Sequence, residues 1–280
     1  MVLFMVLGAA DRILGNRFGL GEKFEEGVMA MGSLALAMIG IICLAPVLSE
    51  VLRPVVVPVY QFLGADPAMF AGTILANDMG GASLAQELSL TDEAGQFGGL
   101  IVGAMLGPTV VFTIPVGLGI IWPEDRTALA RGVLCGVVTI PLGSLAGGLA
   151  AGFPVVMVLR NLIPIVLIAL LIALGLWRIP RGMVRGFQVF GRIVVIVITA
   201  GLAVAILQKL TPLTLLPGMT PIEEGFAIVG DIAIVLAGAF PLVFVITRVF
   251  RTPLMKLGRL MGMNDVAAAG LVATLANNIP

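Results

Sequence analysis

The sequence predicts an all-α polytopic membrane protein, and three observations predict it. The 280-residue chain is 59% hydrophobic and 11% charged, whereas soluble domains run near ~45–50% and ~25%. Several apolar runs exceed the ~20 residues a helix needs to cross the hydrocarbon core, and a soluble fold cannot hide that many. The third observation is a long-period repeat. A shift of 198 positions (222 − 24) lays Glu25-Glu26-Gly27 on Glu223-Glu224-Gly225, Gly32 on Gly230, Gly40 on Gly238, Arg53 on Arg251, Gly64 on Gly262 and Ala71-Gly72 on Ala269-Gly270. With two residues of slack, Leu75-Ala76-Asn77-Asp78 meets Leu275-Ala276-Asn277-Asn278. Duplication inside an apolar chain is a common plan among membrane transporters. The short alternating segments of a β-barrel are not visible in this sequence.

Taken in order, the runs read as spans at roughly 1–14, 27–50, 96–121, 128–152, 154–177, 187–209 and 226–248. The first is short. The second follows Glu25-Glu26, acidic residues that suit the positive end of a helix. Segment 54–95 differs, because Gly64-Ala65-Asp66-Pro67 and Asn77-Asp78-Met79-Gly80-Gly81 break it into apolar pieces too short to span. Span 96–121 holds Gly107-Pro108-Thr109 and Thr113-Ile114-Pro115. Proline removes a backbone donor and frees carbonyls one turn back, so a kinked helix is expected there. Glycines between 143 and 152 in the next span predict a close-packing face. Cys43 and Cys135 both lie in apolar spans, where burial as small hydrophobes is expected.

Basic residues orient these spans, since short loops rich in Lys and Arg lie on the cytoplasmic side. Arg126 and Arg131 mark one connection, Arg178, Arg181, Arg185 and Arg192 a second, and Arg248, Arg251, Lys256 and Arg259 a third, all on one face. Residues 84–95 carry Glu87, Asp92 and Glu93 with no base, and fall outside. The loop with Arg12, Arg17 and Lys23 lies inside only if 54–95 is re-entrant, entering and leaving from the outer face. Arg53 then lands outside, against the rule. Five crossings separate the two Glu-Glu-Gly copies, so the repeat is inverted and its helices are discontinuous, the topology of many alternating-access transporters. Residues 1–182 form the first repeat and 183–280 the start of a second, incomplete one. A 198-residue period begun near the amino terminus would close near residue 400, so the chain is expected to be a piece of a longer protein, inactive by itself.

The functional candidates follow from cost. A carboxylate at membrane depth costs roughly 2.5–3.5 kcal/mol on insertion scales and calls for a partner. Irregular backbone there survives only where protein or a water-filled cavity satisfies it. Asp78, Asn77, Asn277 and Asn278, beside the breakers Gly80, Gly81 and Pro280, are therefore the first substrate-binding candidates, with helix capping as the plainer role. Thr109 and Thr113, beside the two prolines, offer hydroxyls to a small polar solute. Glu25, Glu26, Glu223 and Glu224 fit either a gating role or a simple interaction with the helix dipole. Asp231, two turns into its span and expected to face the bundle interior, fits coupling or a structural hydrogen bond. Balanced charge, 16 basic against 16 acidic residues, gives no reason for a nucleic-acid partner, and the absence of histidine removes the commonest metal ligand. No nucleophile–base pair, phosphate loop or zinc spacing can be assembled, so no catalytic residue, metal or cofactor is expected.

Phe24-Glu25-Glu26-Gly27-Val28-Met29-Ala30-Met31-Gly32, Phe70-Ala71-Gly72-Thr73, Asn77-Asp78-Met79-Gly80-Gly81 and Gly103-Ala104-Met105-Leu106-Gly107-Pro108-Thr109 strongly resemble the ethanolamine utilization membrane protein (EutH) family. The resemblance runs through essentially the whole chain. It implies a permease of the bacterial inner (cytoplasmic) membrane that takes up ethanolamine for catabolism, with the lipid bilayer as its other partner and a homo-oligomer compatible with it. It also implies a longer carboxyl end. Under that resemblance Asp78 would pair with the ammonium of ethanolamine, a charge-assisted bond stronger than a neutral one. Asparagine amides, threonine hydroxyls or freed carbonyls would take the remaining donors. Two alternatives stand beside it: transport of another small amine or polar metabolite, and a non-transporting anchor for an ethanolamine-degrading system.

Overall fold

The computed structural model describes residues 1–110, 124, 126–260, 262–264 and 267. Among them the chain is helical: α1 (Val2–Ile13), α2 (Leu20–Phe62), α3 (Ala68–Ile74), a 3₁₀ turn (Asn77–Met79), α4 (Gly81–Leu88), α5 (Asp92–Gln96), a π-helical turn (Phe97–Val102), α6 (Gly103–Pro108), α7 (Arg126–Ala150), α8 (Val155–Arg178), α9 (Pro180–Leu210) and α10 (Ile222–Leu260). Five of these, α2, α7, α8, α9 and α10, contain stretches long and apolar enough to cross a membrane. The outward faces of α7, α8 and α9 carry Leu142, Leu171, Val195 and Ile196, all more than half exposed. Such a belt suits a bilayer and not water. The chain is a multi-pass membrane protein.

Two compact units form, one from residues 1–35 and 226–280, the other from 36–225. In the first, glycines let helices touch backbone to backbone. A Cβ at Gly27 of α2 would sit 2.6 Å from the carbonyl oxygen of Leu236 in α10, and one at Gly8 would meet Phe24 at 2.9 Å. Asp11, buried at the end of α1, accepts hydrogen bonds from the amides of Phe18 (3.0 Å), Leu20 (2.8 Å) and Gly21 (2.9 Å). The amides of Leu20 and Gly21 open α2, and the first amides of a helix have no intrahelical partner. A carboxylate there satisfies them and meets the positive end of the dipole.

In the second unit α2 continues to Phe62 through Pro46, Pro54 and Pro58. The chain therefore does not begin a separate segment at 54, as the hydropathy suggests; the break comes at 63–67. Proline's fixed φ is compatible with a helix once the freed carbonyls find other donors. In the same stretch the carbonyl of Cys43 accepts from the Thr220 amide at 3.0 Å. Cys43 is buried, whereas Cys135 is exposed on the outer side of α7.

The core of this unit is a short helical hairpin, α3 and α4, with Ala68, Met69, Ala71, Ala85 and Leu88 fully buried. The run from Asp92 through Pro108 is helical throughout, capped by Thr91, but widens to a π turn at Phe97–Val102. Glycines hold it against the hairpin: a Cβ at Gly72 would lie 1.9 Å from the Gly98 carbonyl oxygen, and one at Gly99 2.8 Å from Ala82 Cα. The expected glycine face of α7 is present, with Gly143 and Gly147 against Met105 and Gly148 against Phe97. Residues 111–123, including Thr113 and Pro115, lie outside the described residues, so the second half of the expected kinked span does too.

Candidate functional site

The hairpin reverses at Asn77-Asp78. Helix α3 ends at Ile74, and Leu75 and Ala76 are extended (ψ 140° and 148°) before the 3₁₀ turn and Gly80, whose φ of 81° is left-handed. Only glycine adopts that conformation without strain, and a Cβ there would also strike Ile41 of α2 at 2.4 Å. The extended pair carries the following amides out of the α3 ladder. The Asp78 amide donates to Asn77 Oδ1 (2.9 Å), and the amides of Met79 and Gly81 both donate to the Ala76 carbonyl (3.0 Å each). The last carbonyls of α3 thus point their negative dipole end toward the turn that bears Asp78. Asn77 is partly buried and Asp78 is exposed on its unit, so the carboxylate is reachable, while most of α3 and one face of α4 are buried.

Asp66 ties the opposite end of the hairpin. Its Oδ1 accepts from the Ala68 amide (2.9 Å) and its Oδ2 from the Leu90 amide (3.0 Å), which joins the start of α3 to a residue two past the end of α4. The Asp66 amide in turn donates to Asn161 Oδ1 of α8 at 2.7 Å. A second tie reaches α4 from α2, where Ser49 Oγ (3.1 Å) and Arg53 Nη2 (2.6 Å) both donate to the Glu87 carbonyl. A cation at a helix carboxyl end is favourable, and this gives Arg53 a local reason for its place. In sequence Asp66 reads only as part of a chain break. Its Asp-Pro pair before a short apolar run is a capping signal, but nothing local announces Asn161.

The remaining candidates are scattered. Thr109 Oγ1 donates to the Met105 carbonyl one turn back (2.7 Å). Glu25 pairs with Arg12 (3.3 Å), Glu26 with Lys23 (2.6 Å) and Glu223 with Lys209, all on exposed surface. Glu224 is exposed beside Glu223, at the start of α10. In both copies of Glu-Glu-Gly the glycine is the buried member, Gly27 against Leu236 and Gly225 against Ile39. Asp231 lies on the surface of its unit instead of facing the interior, because Val229, Ala233 and Ala237 take the buried positions of α10. Asn277 and Asn278 lie outside the described residues, as does Thr113.

Residues 1–280 match the family described as "Ethanolamine utilisation protein, EutH" over their full length. The chain belongs to the EutH family. It is 66% identical, across all of its own length and 75% of the relative's, to the probable ethanolamine permease EutH of Listeria monocytogenes serotype 1/2a (strain 10403S). It is 49% identical to the probable ethanolamine permease EutH of Escherichia coli (strain K12), covering 78% of that protein. Identity is also 49% to the uncharacterized protein YxeR of Bacillus subtilis (strain 168), over 76% of its length. No solved structure matches the chain. The EutH family membership and the five apolar helices agree on a membrane setting.

Proposed function

We propose that this protein is an ethanolamine permease of the bacterial inner membrane, not an enzyme, and that Asp78 receives the ammonium group. The observation that carries the reading is the reachable carboxylate at the turn of a discontinuous hairpin packed into the core of its unit, in a chain whose relatives are named probable ethanolamine permeases. Ethanolamine brings a cation and one hydroxyl. The cation matches Asp78 together with the carbonyl end of α3, and the Asn77 amide suits the hydroxyl.

The hairpin is read as re-entrant, because Asp66 and Leu90, at its two ends, share one hydrogen bond. The duplication is read as inverted, and Asn277, Asn278, Thr109 and Thr113 are the further substrate-binding candidates under that reading. Residues 1–182 and 183–280 are the corresponding repeat segments. The test is uptake of labelled ethanolamine into proteoliposomes bearing the protein or its Asp78→Asn variant, with membrane amounts matched. Asp78→Asn is expected to abolish uptake. Wild-type flux in that variant would remove Asp78 from the site, and no flux in the wild type carried at the full length of its relatives, with or without ion gradients, would reject the permease itself.

A further inference from the structure

We infer that Asp66 is a positioning residue for the Asp78 turn, acting through a clasp that includes Asn161; the inference rests on the permease reading above. The clasp joins three chain segments. The Asp66 carboxylate holds the amides of Ala68 and Leu90, and the Asp66 amide holds Asn161 Oδ1, with both side chains more than 90% buried. Asp78 stands midway between the clasped ends, twelve residues from Asp66 and twelve from Leu90. Among the described residues the turn has no comparable tie: its polar side-chain bond is the local one from the Asp78 amide to Asn77. It is otherwise located by contact, Gly80 against Ile41 and Gly107 against Leu75.

The hairpin is therefore a lever fixed at its base. Helix α3, seven residues long, spans about 10 Å at 1.5 Å per residue. A tilt of roughly 6° at the base moves the far end by about 1 Å, enough to spoil a binding geometry. The base has room to give, because a crevice of about 550 Å³ lined by Gln61, Thr91 and Arg160 adjoins Asp66 and Asn161. Asp66→Asn would keep one acceptor but set an amide donor against the Leu90 N–H, so the α4 arm loses its bond to the α3 arm, keeping only the tie from Ser49 and Arg53 to the Glu87 carbonyl, while side-chain volume barely changes. Asn161→Ala would release the clasp from α8 and leave the carboxylate in place.

Hydrogen exchange and transport kinetics on the full chain in nanodiscs and proteoliposomes test this together. Loss of a charge-assisted hydrogen bond predicts at least about tenfold faster exchange at the amides of residues 77–81 in Asp66→Asn and in Asn161→Ala. KM for labelled ethanolamine should rise by a similar factor, with a much smaller change in maximal rate. The double variant should fall short of the product of the singles, because both act on one clasp. Faster exchange confined to 66–68 and 89–91, with 77–81 unchanged, would overturn the inference. So would a fall in maximal rate at unchanged KM, or loss of both variants from the membrane, which would assign the clasp to folding alone. Should the wild-type protein, carried at the full length of its relatives, take up no ethanolamine, the permease reading fails, while exchange at 77–81 still judges the clasp.

Discussion

Gly107 of α6 lies against the Leu75 carbonyl so closely that an added Cβ would sit 2.0 Å from the oxygen. The turn bearing Asp78 is therefore held at van der Waals distance by a missing side chain. Gly107→Ala must push α6 from the hairpin or twist the extended Leu75-Ala76 pair. Overpacking of this kind costs about 1–3 kcal/mol, and both uptake and thermal stability in detergent should fall. Gly132→Ala in α7, where a Cβ meets nothing within 4 Å, is the matched control and should leave both intact.

Arg53 and Ser49 donate to the same carbonyl, that of Glu87. Arg53→Ala removes the cation from the end of α4, and because the guanidinium is partly solvated the loss should be about 1 kcal/mol. Arg53→Lys should recover only part of it, since one ammonium replaces a planar fork of donors. Differential scanning of the purified protein, with exchange at 87–90, reads the difference.

Asp11 satisfies three amides at the start of α2 from a buried position. Asp11→Ala leaves those amides without an acceptor and should lower the melting temperature clearly. Asp11→Asn should lower it less, because one carbonyl acceptor remains. Equal melting temperatures for all three proteins would show that the α1–α2 connection does not depend on the carboxylate.

The ion pairs of Glu25 with Arg12 and of Glu223 with Lys209 are half exposed, and pairs of that kind contribute little and are screened by salt. Glu25→Gln and Glu223→Gln should leave melting unchanged and keep uptake within about twofold of wild type. A large loss of uptake at unchanged stability would instead give these glutamates a part in gating.

Much of the fold was legible because membrane helices announce themselves by run length. The hairpin was legible too, since Gly64-Ala65-Asp66-Pro67 and Asn77-Asp78-Met79-Gly80-Gly81 are breakers no spanning helix needs. What escaped depended on distant partners. Pro54 and Pro58 look like the start of a new segment, but α2 absorbs them. The π turn at Phe97–Val102 has no local code beyond its glycines. The Asp66–Asn161 bond joins residues 95 positions apart, beyond the reach of any motif, and the surface position of Asp231 follows from which neighbours of α10 are buried.

The two repeated helices stop in the same register: α2 at Phe62 and α10 at Leu260, each followed two residues later by a left-handed glycine, Gly64 (φ 71°) and Gly262 (φ 78°). The prolines did not keep that register. Pro46, Pro54 and Pro58 of α2 fall opposite Phe244, Thr252 and Lys256, and Pro241 and Pro253 of α10 fall opposite Cys43 and Val55. The two helices thus differ in where they bend and agree in where they end. If they are copies of one unit, the ruler outlasts the hinge, and a search for distant relatives should align terminators before it aligns kinks.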